Sequence, residues 1–169
     1  IESLSLIASE FSNFAKMPDT GLRTVNLKHI LERSIEVYSQ DENVSITFHD
    51  KTLPGQLLVK GDKDQLLRSF NNLIKNSVEA IPEGREGKIS ITLEPVDKSV
   101  NIVFQDNGNG IPESVQQRIF MPNFTTKSSG TGLGPAFVKQ AIENMGGTIR
   151  YRTVIDEGTT FYLTIPTES

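Results

Sequence analysis

The sequence contains no cysteine. This absence excludes disulfide bonds, thiolate zinc sites and catalysis by a thiol, and it fits a reducing compartment. A surplus of basic residues is also missing, because 17 Lys and Arg stand against 21 Asp and Glu. Proteins that neutralise a nucleic-acid backbone need such a surplus, so we expect no nucleic-acid partner.

Long apolar runs are missing too. No stretch approaches the ~20 apolar residues that a membrane-spanning helix needs, and no signal-like segment opens the chain. We therefore expect a soluble, cytoplasmic chain without direct membrane contact. The first residue is Ile1 rather than Met, so we expect a piece of a longer protein, which can itself be membrane-anchored.

The first segment carries apolar residues at steps of three and four: Leu4, Ile7, Phe11 and Phe14. This spacing predicts a helix whose seam packs against a partner, and Pro18 marks its end. We predict a domain boundary here, with residues 1–22 as an appendage and 23–169 as the main domain. The alternative is an ordinary surface helix of the main domain.

Beyond residue 22, helical and strand periodicities alternate. Helices are predicted after the capping residues Asn26 and Asp62, over a short stretch near 112–119, and from Pro135 to Gly146. Strands are predicted at 44–48, 57–59, 89–93, 100–104, 148–153 and 159–165. Interleaved helices and hairpins indicate the α/β class, with one mixed sheet that carries helices on a face.

The helix predicted over 62–81 has a polar face that includes Gln65, Ser69, Asn72 and Asn76. Asn within a helix is less favourable than Ala by roughly 0.5 kcal/mol, which suggests a functional reason for its presence. Asn72 and Asn76 lie four residues apart, so their amides fall on one side and can hold a cation with its phosphates. A plain solvent-exposed face is the alternative.

The strand at 100–104 runs into Asp106-Asn107-Gly108-Asn109-Gly110-Ile111. Glycines let backbone approach a ligand closely, and a buried carboxylate can bind an amino group. A calcium loop is excluded, because its third, sixth and twelfth positions hold Gly108, Ile111 and Gln117. A simple hairpin turn remains the alternative.

A second glycine cluster, Gly130-Thr131-Gly132-Leu133-Gly134, precedes Pro135 at a predicted helix start. Helix N-termini attract anions. The cluster matches neither a Walker loop nor a dinucleotide fingerprint. A glycine hinge for a mobile lid over 120–134 fits the small polar residues there.

These features follow one another in order: Asn-x-x-x-Asn, Asp-x-Gly-x-Gly-Ile, Phe-x-x-x-Phe-Thr-Thr-Lys, Gly-x-Gly-x-Gly and Gly-Thr-x-Phe. In this combination the chain resembles the catalytic, ATP-binding domain of sensor histidine kinases, within the gyrase, Hsp90, histidine kinase and MutL (GHKL) ATPases. The similarity covers about residues 24–167. It implies a Bergerat-type fold, in which a mixed β-sheet packs in two layers against about three helices.

The resemblance also implies residue roles at the adenine end of an ATP site. Asp106 would accept a hydrogen bond from the adenine amino group, with Thr159 supporting it. Gly108, Gly110 and Ile111 would form the wall of the base pocket.

At the phosphate end, the resemblance implies that Asn76 supplies the oxygen that faces magnesium, with Asn72 beside it. Lys75 would reach toward phosphate, and we take Asn72 and Lys75 as the catalytic residues. The lid and the second glycine loop, whose amides close over the phosphates, match the family at Phe120, Phe124, Thr126, Lys127, Thr131, Gly132, Leu133 and Gly134.

Two features depart from the family pattern. Pro135 replaces an apolar residue that bears a backbone amide; proline is acceptable at the first helical position, but it removes one phosphate donor. We therefore expect a lower ATP affinity than is typical. The phosphoacceptor histidine is expected on another segment: His29 is followed by Ile30 rather than an acidic residue, and His49, although followed by Asp50 and by Pro54, comes directly after the strand predicted at 44–48 and not within a dimerising helix.

The function that the resemblance implies is transfer of the γ-phosphoryl group of Mg-ATP to a histidine on a segment absent from this chain. Residues 1–22 would be the end of a dimerisation and phosphoacceptor helix with its linker. A response regulator and a homodimer of the full-length protein are the further partners implied, and the chain alone should not phosphorylate itself. Related hydrolases of this fold place a Glu where Asn72 stands, which favours a kinase. The alternatives are a GHKL-type ATP hydrolase and a non-catalytic, partner-docking domain.

Overall fold

The computed structural model describes residues 22–121 and 134–168. The helix predicted within residues 1–22 lies outside this part of the chain. The helices are α1 (Leu27–Tyr38), α2 (Lys63–Ala80), α3 (Glu113–Gln116) and α4 (Gly134–Asn144). The strands are β1 (Arg23–Asn26), β2 (Val44–Asp50), β3 (Leu58–Gly61), β4 (Gly87–Val96), β5 (Ser99–Asp106), β6 (Thr148–Val154) and β7 (Gly158–Pro166).

The helix starts follow the predicted caps. Asn26 Oδ1 accepts a hydrogen bond from Lys28 N at 2.9 Å, and Asp62 Oδ1 accepts one from Gln65 N at 3.0 Å. Each cap satisfies an amide of the first helical turn that has no partner within its own helix. These two side chains therefore determine where α1 and α2 begin.

Five strands form a mixed sheet in the order β2-β4-β5-β7-β6. The β2 and β4 strands pair in parallel, and the other neighbours are antiparallel. This arrangement confirms the predicted α/β fold, a mixed sheet under three long helices and the single turn of α3.

The expectation of one sheet was incomplete, since β1 and β3 form a separate two-stranded antiparallel sheet. The β1 strand was not predicted. It is only four residues long and has a single apolar residue, Val25, so its alternation is too short to detect.

The inner face of the large sheet is apolar over successive rows. Ile102 pairs with Leu163, and Phe104 pairs with Phe161, all of them buried. From the helical layer, the Phe70 ring packs on Phe104 with 5.9 Å between centroids. Burial of such side chains contributes most of the stability of a domain of this size.

The polar face predicted for α2 is narrower than expected. Gln65 and Ser69 were placed on it, but both are buried. The α2 helix contacts the sheet as well as α1 and α4, so a larger part of its circumference is covered than a single apolar stripe implies. None of the helices described is long and apolar enough to cross a membrane.

Candidate functional site

The apolar rows of the sheet end in a polar row that joins three strands. Thr153 pairs with Thr159, and Gln105 with Thr160, so the inner-facing side chains of Asp106, Thr159 and Thr153 lie side by side. Asp106 is only 7% exposed and Thr159 only 5%. A carboxylate so deeply placed needs hydrogen-bond partners.

Asp106 finds these partners in two backbone amides. Its Oδ1 atom accepts from Gly108 N at 2.9 Å and from Thr159 N at 3.1 Å. None of the described residues donates a hydrogen bond to Oδ2. The carboxylate is thus held through one oxygen, and the other can accept from a ligand.

The glycines of the first loop permit close approach of two neighbouring segments. A Cβ atom on Gly108 would lie 2.7 Å from the Ala80 carbonyl oxygen at the end of α2. Gly110 has φ +79°, and a Cβ there would lie 2.6 Å from the Val154 carbonyl oxygen at the end of β6. Side chains at either position would push the loop away from the sheet.

The loop is also tied to the segment between α2 and β4. Arg85 Nη1 donates to the carbonyl oxygens of Asn107 at 2.8 Å and Gly108 at 3.1 Å. Asn107 accepts from Lys88 N at 2.7 Å and donates to the Glu86 carbonyl at 3.0 Å. Neither Arg85 nor the structural role of Asn107 was predicted, because both depend on a contact between segments about 20 residues apart.

Ile111, a predicted pocket residue, is anchored at both of its backbone polar groups. Its amide donates to Thr153 Oγ1 at 2.8 Å, and its carbonyl accepts from Gln116 Nε2 at 2.9 Å. Tyr151 Oη donates in turn to the Gln116 carbonyl at 3.1 Å. Burial raises the pKa of the Tyr151 phenol, so it remains a donor at neutral pH.

The phosphate end of the predicted site lies where α2 meets the first residue of α4. A Cβ atom on Gly134 would lie 3.6 Å from Asn72 Oδ1 and 3.8 Å from Asn76 Nδ2. The structure therefore brings together two predicted groups from distant parts of the sequence. Their carboxamides face a helix N-terminus, where backbone amides favour an anion.

Lys75 is less firmly placed than these two asparagines. Its side chain is 52% exposed, and Nζ lies 3.8 Å from Glu79 Oε1, one turn along α2. An exposed ion pair of this kind contributes little free energy, so the amine can exchange Glu79 for another anion. Its predicted role toward phosphate stays a prediction.

Phe120 is half-buried and packs against the ring of Tyr151, with 5.9 Å between centroids in an edge-on geometry. Lys139 Nζ, from α4, lies 5.6 Å from the Phe120 centroid. This contact places the start of the predicted lid beside α4. The remaining predicted lid and loop residues lie outside the described part of the chain: Phe124, Thr126, Lys127, Thr131, Gly132 and Leu133.

Residues 61–169 match the family described as histidine kinase-, DNA gyrase B- and HSP90-like ATPases. The chain belongs to this ATPase family. The match begins just before α2 and includes the Asp106 loop, the α4 helix and the β6–β7 hairpin. The predicted resemblance to this family is confirmed.

Two relatives show which members of this ATPase family the chain is similar to. It is 35% identical over 170 residues to sensor histidine kinase ZraS of Escherichia coli K12, covering 98% of this chain and 35% of that protein. It is 33% identical over 168 residues to sporulation kinase A of Bacillus subtilis, covering 98% of this chain and 27% of that protein. The chain therefore spans about a third of the length of these relatives.

Solved structures of this ATPase family agree with the fold. The catalytic domain of histidine kinase ThkA superimposes with a TM-score of 0.75 at 29% identity, over 88% of this chain and 97% of that one. The mycobacterial sensor histidine kinase MprB gives 0.76 at 25% identity, over 88% and 99%. The two-layer arrangement is thus that of a histidine kinase catalytic domain, while the role of each residue toward ATP remains a prediction.

Proposed function

We propose that this chain is the ATP-binding catalytic domain of a sensor histidine kinase, which binds Mg-ATP and offers the γ-phosphoryl group to a histidine outside the chain. The observation that supports this most is the buried Asp106, which is fixed through Oδ1 at the end of the core, while none of the described residues donates to its Oδ2. The family of the chain and the names of its relatives support the same function.

At the base end, the geometry of Asp106 suits an amino group. Its two backbone partners hold the carboxylate in a fixed orientation before any ligand arrives. Such preorganisation lowers the cost of ordering on binding. Ile111, anchored at both its N–H and its C=O, would flank the ring on the side of the loop.

At the phosphate end, the donor set fits magnesium that is held jointly with phosphates. The described residues contain no cluster of three or more His, Asp or Glu that could cage a metal. Protein sites for Mg²⁺ commonly supply one or two oxygens and leave the rest to phosphates and water. Asn76 would supply a carboxamide oxygen there, and the ion when bound would neutralise phosphate charge.

Asn72 and Lys75 would act on the phosphates beside Asn76. The Asn72 carboxamide, next to Gly134, can donate a hydrogen bond without activating water, since an amide is not a general base. Lys75, whose ion pair with Glu79 is exposed, can move toward the negative charge of the phosphates. Pro135 offers no amide at the start of α4, which would lower the affinity for phosphate.

The partners beyond ATP belong to the same proposal. Residues 1–22 would connect the catalytic domain, 23–169, to a dimerising helix hairpin that bears the phosphoacceptor histidine. A response regulator would then receive the phosphoryl group. A histidine kinase ThkA structure, solved in complex with the response regulator protein TrrA, matches 99% of this chain at 26% identity with a TM-score of 0.76. The cytoplasmic location stays a prediction.

The proposal is tested by joining the chain to its upstream helix hairpin and adding ATP labelled at the γ-phosphate with magnesium. We expect label on a histidine of the hairpin, in an acid-labile linkage, and no label on the chain alone. Steady release of labelled phosphate without a labelled histidine would indicate a hydrolase instead. Absence of any nucleotide binding would support a partner-docking domain.

A further inference from the structure

Thr153, on β6, has no role in the site described so far except to hold Ile111. Its hydroxyl takes part in three contacts: Ile111 N donates to Oγ1 at 2.8 Å, Thr159 Oγ1 lies at 2.9 Å, and the Gly158 carbonyl lies at 3.4 Å. Thr153 therefore connects Ile111 with Thr159, two residues predicted at the adenine end. Both connections pass through a single oxygen atom.

The proton on this oxygen has two possible acceptors, which differ in distance. A hydroxyl donates one hydrogen bond and accepts two, and the Ile111 amide occupies one accepting position. The Thr159 oxygen, at 2.9 Å, is near the usual length of an O–H···O bond, whereas the Gly158 carbonyl, at 3.4 Å, is at the limit. Either oxygen of the Thr153–Thr159 pair can be the donor, and the shorter distance favours donation from Thr153 to Thr159 over donation to the Gly158 carbonyl.

This direction leaves the proton of the Thr159 hydroxyl free to donate elsewhere. Thr159 adjoins Asp106, whose Oδ1 accepts from the Thr159 amide. The end of the sheet therefore presents an acceptor, Asp106 Oδ2, next to a donor, the Thr159 hydroxyl. A water bound next to Thr159 would accept from the Thr159 hydroxyl and could in turn donate to the ligand.

The adenine edge has the complementary pattern, because its 6-amino group donates and its ring N1 accepts. Guanine has the opposite pattern, an accepting O6 and a donating N1–H, so it would meet an unpaired group at both positions. We propose that Thr153 is a positioning residue that makes the Thr159 hydroxyl a donor to N1 and thereby selects adenine over guanine. This inference rests on the proposed nucleotide function.

A merely structural role of Thr153 would have a different consequence. Replacing Thr153 with Val removes the hydroxyl at nearly constant volume, which frees the Ile111 amide and could loosen the pocket wall. Loosening of that kind would weaken all adenine nucleotides equally. The proposed role instead predicts a loss only for ligands that have an acceptor at position 1 of the ring.

The experiment measures dissociation constants by titration calorimetry with ATP and with 1-deaza-ATP, which keeps the amino group and lacks N1. In the wild-type chain we expect 1-deaza-ATP to bind about tenfold more weakly than ATP. In Thr153→Val we expect ATP to weaken by about tenfold while 1-deaza-ATP changes by less than about twofold. The ratio between GTP and ATP affinities should fall in the same variant.

Two further variants serve as controls. Thr153→Ser keeps the hydroxyl and should bind both nucleotides as the wild-type chain does. Thr92→Val makes the same replacement on the sheet face turned away from the helices, since Thr92 alternates with the buried Ile91 and Leu93. It should leave both affinities unchanged.

The outcomes separate this inference from the proposed function. Equal weakening of both ligands in Thr153→Val, or no weakening of ATP, would overturn the positioning role while nucleotide binding stands. Equal affinity of the wild-type chain for ATP and 1-deaza-ATP would overturn it without any variant, even if Thr153→Val does not fold. A wild-type chain that binds neither ligand would overturn the nucleotide site and this inference together.

Discussion

The two ends of the site are built in different ways. At the base end, Asp106 lies in the row of side chains that terminates the sheet, and backbone amides hold its carboxylate. At the phosphate end, Asn72 and Asn76 project from a helix and meet the first residue of α4. The base end is fixed by the main chain, whereas the phosphate end depends on side chains.

This difference has a consequence for binding. A fixed acceptor distinguishes ligands by hydrogen-bond pattern, because a wrong group leaves a buried polar atom without a partner. Half-buried carboxamides and an exposed lysine can adjust their positions to bind a charge or a metal ion, but they discriminate poorly between ligands of different shape. We infer that the base end determines which nucleotide binds, and that the phosphate end determines how its phosphates are held and transferred.

The largest effect is expected for Asp106→Asn. The Asn oxygen can still accept from Gly108 N and Thr159 N, so the fold should survive, but an NH₂ group replaces Oδ2 and would oppose the adenine amino group. We expect ATP affinity to fall by about a hundredfold or more, measured by calorimetry.

Asp97→Asn is the matched control for this change. Asp97 lies in the exposed turn between β4 and β5 with φ 53°, a conformation that Asn tolerates. ATP affinity of the control should equal that of the wild-type chain. Unchanged affinity in Asp106→Asn would remove the adenine assignment from the base end.

Gly110→Ala should be the most destabilising of the changes considered. Both the positive φ and the approach to the Val154 carbonyl oppose a Cβ atom. We expect the free energy of unfolding to fall by about 3 kcal/mol, measured by urea denaturation. Gly84→Ala is the control, since Gly84 has φ +89° and a Cβ atom there would meet nothing within 4 Å.

In the control Gly84→Ala, the free energy of unfolding should fall by only about 1 kcal/mol, the cost of placing Ala in this backbone conformation. The difference between the two variants measures how tightly the loop is held against β6. Equal losses would mean that the base end is not fixed by this approach.

At the phosphate end, Asn76→Ala should act through the metal. We expect ATP affinity in magnesium to fall by about tenfold and to become insensitive to chelation of the metal by EDTA. Asn43→Ala, at an exposed position before β2, should retain the metal dependence. Persistence of that dependence in Asn76→Ala would assign the metal to other residues.

The smallest effect is expected far from both ends, at Glu168. The hydrogen bond that the Thr24 hydroxyl donates, together with the proximity of Lys60, whose Nζ lies 3.2 Å away, lowers the pKa of this carboxyl below its usual 4.5. A carboxyl whose pKa is lower in the folded state than in the unfolded state stabilises the fold at pH values above the unfolded-state pKa. This stabilisation is lost as the pH falls through the folded-state pKa.

Thermal unfolding of the wild-type chain and of Glu168→Gln checks this sign. The variant should unfold at a slightly lower temperature at pH 7, and the two curves should converge as the pH falls below about 4. ATP affinity should be the same in both. A difference in unfolding temperature that grows as the pH falls would contradict the lowered pKa of Glu168.

Local sequence patterns predicted much of this molecule. The α1 and α2 caps, the alternation along β4 and β5, and the strand that leads into Asp106 are all encoded within a few residues of the feature itself. The sequence also indicated Asn72 and Asn76, because Asn is unfavourable within a helix. These features need no knowledge of the partner segment.

The residues that sequence reasoning missed depend on distant contacts. The hydrogen bond from Ile111 N to Thr153 Oγ1 spans 42 positions, and the contact of Arg85 with Asn107 spans 22. One signal was available for Thr153, since alternation from Tyr151 places it on the inner face of the predicted hairpin. The register that sets it opposite Thr159 was not available from the sequence.

The central claim, that Asp106 binds the adenine amino group, is tested most directly by a crystal structure of the chain with a non-hydrolysable ATP analogue and magnesium. We expect the purine between α2 and the Asp106 loop, with its amino nitrogen within hydrogen-bond distance of Oδ2. A structure in which protein side chains fill that cleft, while the nucleotide binds elsewhere, would contradict it.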